Sequence, residues 1–172
     1  MMFVMAAVME GPLADLNAWQ PDECSIAKAM DMIGTRSAVL ILREAYYGTT
    51  RFDGFAARVG ITDAAAAGQL RKLTEAGLLA KRPYQEAGKR TRHEYVLTDM
   101  GRDLLPAVLA LMQWGDVYLQ PGPAPLLLVE ESTGAPVRVQ VRSETGNEIE
   151  LEKLGVRLNP EYARNRRARV ES

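Results

Sequence analysis

The chain has 172 residues, 47% of them hydrophobic and 25% charged, with 21 basic against 22 acidic side chains and a formal net charge of −1. That length gives one domain, or one domain with a small appendage, and the composition excludes wholesale disorder and a membrane-embedded chain. One cysteine, Cys24, and one histidine, His93, exclude an intramolecular disulfide and leave too few ligands for a structural zinc site. A lone thiol fits a cytoplasmic location.

The opening run from Met1 to Met9 is apolar, but no basic residue precedes it and Glu10-Gly11-Pro12 interrupts it, so it does not read as a secretory signal. It reads as a flexible arm, or as a start codon placed too early. No later stretch approaches the ~20 apolar residues of a spanning helix. Charge is unevenly spread. Residues 1–22 carry Glu10, Asp15 and Asp22 and no base, whereas residues 35–98 carry eleven basic and six acidic side chains. The neutral total thus hides a basic middle, the signature of an anionic partner.

In chain order, Glu23–Ile33 predicts a helix with Ile26, Met30 and Ile33 at helical spacing and Gly34 as its stop. Ser37–Tyr47 is so apolar that it predicts the central buried helix of a small bundle. A short helix over Phe52–Val59 ends at Gly60, a position suited to a left-handed cap. Thr62 then offers an N-cap for a helix reaching Ala76, with Ala66, Leu70 and Leu73 on one face and Gln69, Arg71 and Lys72 assigned to others. The period changes to two over Leu78–Tyr84 and Thr91–Leu97, a hairpin whose polar turn, Gln85–Arg90, carries a glycine at its tip. Thr98 caps a further helix over Asp99–Leu119 with a wide apolar face, and such a face calls for a partner outside its own small domain. Pro121-Gly122-Pro123-Ala124-Pro125 marks a boundary. Short strands are expected beyond it at 126–130, 137–141 and 148–151.

Short helices, a basic-tipped ribbon and a longer helix, in that order, predict an α+β winged helix-turn-helix domain followed by a small β-rich appendage. The expected organisation is an arm over 1–22, the winged domain over 23–120, the ribbon-like appendage over 121–160 and a basic tail over 161–172. In such a domain a helix N-terminus enters the major groove while basic side chains neutralise phosphates. Thr62, Gln69 and Arg71 are the groove candidates, with Arg58 and Lys72 as further contacts. Arg36, Arg51, Lys89, Arg90 and Arg92 are the backbone candidates, and His93 is a surface or phosphate-contacting residue. One cysteine, one histidine and no glycine-rich phosphate loop assemble no catalytic site, so no enzyme activity, cofactor or metal is expected. The arginines after residue 163 read either as a DNA-contacting tail or as a solubilising end.

From Cys24 to about Tyr118 the sequence resembles the HxlR-type bacterial transcriptional regulators. The resemblance is carried by Cys24-Ser25-Ile26-Ala27, Asp31-Met32-Ile33-Gly34, Leu40-Ile41-Leu42-Arg43-Glu44, Arg51-Phe52, Leu70-Arg71-Lys72-Leu73, Glu75-Ala76-Gly77-Leu78, Glu94-Tyr95-Val96-Leu97-Thr98, Gly101-Arg102 and Trp114-Gly115. It implies a homodimeric winged-helix regulator, read here as a repressor of double-stranded operator DNA, that is open to a small-molecule effector. It further implies a dimer interface made by the first and long helices, through Ile26, Met30, Leu105, Val108, Leu109, Met112 and Trp114. In some relatives a cysteine matching Cys24 senses oxidants or electrophiles, and the alternative here is a half-buried residue near the dimer seam.

The departures from that pattern are informative. Arg36-Ser37 stands where relatives commonly have Lys-Trp. Asp63-Ala64-Ala65-Ala66-Ala67-Gly68 replaces a first two turns that usually carry Ser, Arg and Gln. Thr133-Gly134 and Thr145-Gly146 stand where a metal-binding ribbon would carry Cys-Gly, so a metal-free ribbon is expected. The Ala-rich helix favours a second reading, a ligand-binding or protein-interaction module on a winged-helix frame with weakened DNA readout.

Overall fold

Threonine hydroxyls open three helices in the computed structural model, which describes residues 7–15, 23–85, 87–88 and 90–170. Thr35 Oγ1 accepts from the Ala38 amide at 3.1 Å, Thr62 Oγ1 from Ala65 at 3.3 Å and Thr98 Oγ1 from Gly101 at 3.1 Å. Each satisfies an amide that the first helical turn cannot. The helices are α1 (Ser25–Ile33), α2 (Arg36–Tyr46), α3 (Phe52–Val59), α4 (Asp63–Glu75), α5 (Asp99–Asp103) and α6 (Leu105–Tyr118). Gly60 closes α3 in the left-handed conformation, at φ +70°. The chain forms two compact units, one of residues 25–139 and one made by its two ends, before Ser25 and from Gln140 onward.

In the larger unit α2 is the centre. Its Ala38, Ile41 and Leu42 pack with Phe55 and Val59 of α3, Leu70 and Leu73 of α4, and Leu78 and Leu79 after it. Such burial is the dominant favourable term of the fold. Among strands, β1 (Val8–Met9) belongs to the smaller unit, while β2 (Leu79–Tyr84) and β3 (Arg92–Leu97) pair antiparallel with Leu79 opposite Leu97 and Tyr84 opposite Arg92. The Tyr95 amide also donates to the Thr50 carbonyl at 2.8 Å, tying the entry to α3 onto this ribbon. Gly101 lets α5 approach the ribbon, since a Cβ there would stand 2.2 Å from the Leu78 carbonyl oxygen. Tyr46 donates its hydroxyl to the Gly101 carbonyl at 2.6 Å, and burial raises the pKa of that phenol.

Four expectations are corrected. The helix expected over Asp99–Leu119 is two helices, meeting at Leu104. Pro106 has no amide to donate back into the preceding turn and starts α6 instead. The strands expected beyond residue 125 reduce to isolated bridges, Val129 with Pro136 and Arg142 with Glu148, because no neighbouring strand is there to extend them. Gly134 and Gly146 hold the two turns with positive φ. Residues 7–15 are not a free arm: β1 pairs parallel with β4 (Gly155–Val156), and Glu10 forms an ion pair with Arg157. The rest of the expected arm, residues 1–6 and 16–22, lies outside the described residues. The tail forms a helix, α7 (Pro160–Val170), whose start is capped by Asn159 Oδ1 accepting from the Glu161 amide at 2.9 Å.

Glu44 is the one acidic side chain among the buried described residues, at 2% exposure in the middle of the larger unit. Its Oε1 accepts from Arg43 at 2.6 Å and its Oε2 from Arg58 of α3. Burial pushes its carboxyl up, but the Arg58 and Arg43 guanidiniums outweigh this and hold it below the usual carboxylate range. With the folded-state value lowered, the stabilisation is fully present above the unfolded value and is lost as pH falls through the folded one. Replacing both Arg43 and Arg58 by Ala leaves the carboxylate buried and unpaired. We expect that variant to lose about 3–5 kcal/mol in urea unfolding at neutral pH. Unlike the wild type it should gain stability on mild acidification, as Glu44 protonates; a loss under about 1 kcal/mol would contradict the network's role.

Candidate nucleic-acid interface

The helix-turn-helix is α3 followed by α4, joined through Gly60, Ile61 and Thr62. Because Ala66, Leu70 and Leu73 are buried, α4 turns Asp63, Ala64, Ala65, Ala67, Arg71 and Lys72 to solvent. The N-terminal half of that outer surface is therefore a row of methyl groups behind one carboxylate. Alanine methyls can meet the thymine methyl, but they cannot make the bidentate hydrogen bonds that distinguish purines. Thr62 is exposed at the helix start, where its hydroxyl serves as the cap.

Gln69 does not face the groove. It is only 8% exposed, and its Oε1 accepts from Thr35 at 3.3 Å and from Ser37 at 3.5 Å, joining α4 to the start of α2. Its position, three residues after Ala66 and four before Leu73, places it on the inward arc, a signal the sequence already held. The small Ser37 stands beside the Gln69 amide.

Arg51 is not a free cation either. Its guanidinium carbon lies 3.1 Å from the centroid of the Tyr84 ring, stacking the entry of α3 on the turn end of β2. Arg82 is engaged by Glu94 at 2.7 Å, and that guanidinium holds the Glu94 carboxyl below its ordinary range. Neither pairing could be read from local pattern, since each joins residues more than ten apart. Arg36, Arg90, Arg92 and His93 are exposed. Arg71 is exposed and 4.0 Å from Glu75. Lys89 lies outside the described residues.

The residues expected at a dimer seam divide. Ile26 and Met30 of α1 are exposed, and so is Trp114 at 55%. Val108, at 8%, is buried within its own unit, and Leu105, Leu109 and Met112 are half-buried against α2. The expectation for Val108 is thus corrected: its spacing turns it toward α2. The large apolar side chains of α6 that are exposed are Leu111, Trp114, Val117 and Tyr118, with Trp114 and Tyr118 in ring contact at 5.5 Å. Cys24 is a half-buried free thiol one residue before α1. No set of three or more His, Cys, Asp or Glu among the described residues could hold a metal ion, and no helix among them is long and apolar enough to cross a membrane.

Residues 32–123 match the model of the HxlR-like helix-turn-helix family. The chain belongs to that family. It is similar to Rv3095, an uncharacterized HTH-type transcriptional regulator of Mycobacterium tuberculosis, with 42% identity over 111 residues that cover 64% of this chain and 69% of the relative. Among solved structures it resembles PA1607, a candidate transcription factor, with TM-score 0.69 and 36% identity over 81% of this chain and 96% of that one. It also resembles the redox regulator HypR in its oxidized form, with TM-score 0.51 and 28% identity over 56% of this chain and 99% of that one. As an HxlR-like protein the chain is a winged-helix, DNA-binding transcriptional regulator.

The buried placement of Gln69 gives a direct test. Gln69→Ala should destabilise the protein by about 1 kcal/mol in urea unfolding, by removing the acceptor of the Thr35 and Ser37 hydroxyls. The salt dependence of DNA binding should stay unchanged. Unaltered stability together with relaxed base preference would return Gln69 to the groove.

Proposed function

We infer that this regulator works as a homodimer on a near-palindromic operator and represses by occupying it. The observation that carries the reading is the charge layout of the winged frame. The cations Arg36, Arg71, Lys72, Arg90 and Arg92 are exposed, while Arg51, Arg58 and Arg82 are engaged with other side chains of the protein. Exposed cations of this kind neutralise phosphates and fix register, and sequence is then read by what approaches the base edges. On α4 these are Thr62 and the Ala64, Ala65 and Ala67 methyls, so readout rests on thymine methyl contact and on groove shape. Lys89, which follows β2 and precedes β3 in the sequence, joins the proposed phosphate-contacting set.

The homodimer is supported by the apolar faces of α1 and α6, where Ile26, Met30, Leu111, Trp114, Val117 and Tyr118 are all exposed. Unpartnered apolar area of that kind marks an interaction surface. A twofold arrangement places two α4 helices on half-sites about one helical turn apart. The methyl-lined α4 also favours a second reading, in which the frame binds a ligand or protein and DNA readout is weak. Blocking of transcription by operator occupancy, in a reporter carrying the bound site, tests repression.

Replacing Lys89, Arg90 and Arg92 together by Ala should weaken binding to every duplex. It should also flatten the plot of log affinity against log salt by about 0.9 for each phosphate that is no longer neutralised. An unchanged slope refutes the role of the wing. Trp114→Glu should convert the dimer to monomer in sedimentation and weaken operator binding; a dimer unaffected by it places the interface elsewhere.

A further inference from the structure

Between α2 and α6 lies a cavity of about 240 Å³, walled by Val39, Leu40, Tyr46, Leu105, Leu109 and Met112. Arg43 is the only charged residue in its lining. The Arg43 guanidinium bonds Glu44 Oε1 through Nε at 3.1 Å and Nη2 at 2.6 Å, which leaves Nη1 available. Since Glu44 is shared with Arg58, two guanidiniums answer one carboxylate and the cluster carries one net positive charge. At the rim the Tyr47 hydroxyl reaches only the Met112 sulfur, at 3.7 Å, a weak acceptor. An adjoining cavity is lined by Glu44 and Asp116 together with Arg43. It therefore offers two carboxylates where the first offers none.

We propose that the α2–α6 cavity binds a small monocarboxylate with an apolar body, its carboxylate on Arg43 and its hydrocarbon among Leu105, Leu109 and Met112. A guanidinium in a low-dielectric wall selects a carboxylate over a neutral head group, since a charge-assisted hydrogen bond is about twice as strong as a neutral one. The apolar lining rejects a second charge. Size fits as well: an apolar cavity of ~150 Å³ already admits benzene, so this one takes a substituted ring or a short acyl chain. Glu44 and Asp116 keep the anionic end out of the adjoining space. A carboxylate on Arg43 shares that guanidinium with Glu44 and alters the hold of Glu44 on Arg58, hence on the first helix of the helix-turn-helix. Resting on the DNA-binding reading, the ligand is thereby an effector.

The test is calorimetric titration of the full chain with octanoate and, as its uncharged counterpart, 1-octanol. Octanoate should bind once per chain and at least about tenfold more tightly than octanol. Arg43→Gln should remove that difference while Glu44 keeps Arg58, and Leu109→Phe, which narrows the cavity, should weaken both ligands. Equal affinity of the two probes, octanoate binding untouched by either variant, or no binding at all would overturn the assignment. So would octanoate binding to the monomer but not the dimer, because a second copy would then fill the space. If Arg43→Gln does not fold, the octanol comparison and Leu109→Phe decide. Octanoate should also shift DNA affinity in the wild type and not in Arg43→Gln. Binding without that shift overturns the effector role, whereas a chain that binds octanoate but no DNA overturns the proposed function and leaves the cavity assigned.

Discussion

A carboxylate withdrawn from water needs compensation close at hand, and Glu44 finds it in two guanidiniums, one beside it on α2 and one on α3. An ion of that size carries a desolvation penalty of several kcal/mol, so the arrangement holds only where both partners reach it. That requirement sets α3 against α2 at a defined angle, with Phe55 and Val59 packed on Ile41 and Leu42. α4 follows α3 after the three-residue turn that begins at Gly60, so the orientation of the outer face of α4 is inherited from this pairing. The ribbon is tied to the same place by Arg51 on Tyr84 and by the Thr50–Tyr95 backbone bond. Wing and helix-turn-helix thus share one anchor.

Polar side chains of the kind that read bases or phosphates are used inside the protein. Gln69 joins two helices, Arg51 stacks and Arg58 pairs with Glu44. Buried polar groups must be satisfied, and satisfying them removes them from the surface. What remains outward on α4 is methyl groups, the cations Arg71 and Lys72, and the carboxylates of Asp63 and Glu75. On the proposed reading, such a surface binds DNA through charge and shape more than through hydrogen-bonded base readout.

Most of the helical frame is legible in the sequence because its punctuation is local. Thr62 and Thr98 sit at helix starts, Gly60 at a stop, and a glycine-tipped turn at the hairpin, while Thr35 caps α2 two residues before the expected Ser37 start. For Gln69 the helical spacing carries the right placement while residue type points to the wrong one, and for Val108 spacing carries it while the family resemblance points to the seam. Pro106 likewise announces the break in the long helix. Other features have no local signature. The pairing of Val8–Met9 with Gly155–Val156 spans nearly the whole chain, and the Arg51–Tyr84 stack is set by tertiary packing. The alternation beyond residue 125 is real but lacks neighbouring strands, so it produces bridges and turns where strands are expected.

The proposed regulation rests on sequence-directed DNA binding by the winged frame. Fluorescence anisotropy with purified protein and labelled duplex from its own upstream region, at two salt concentrations, measures it directly. An unrelated duplex as competitor separates readout from charge. The expected result is binding that weakens with salt and survives the competitor at physiological ionic strength. Absence of binding to either duplex at low salt would contradict it.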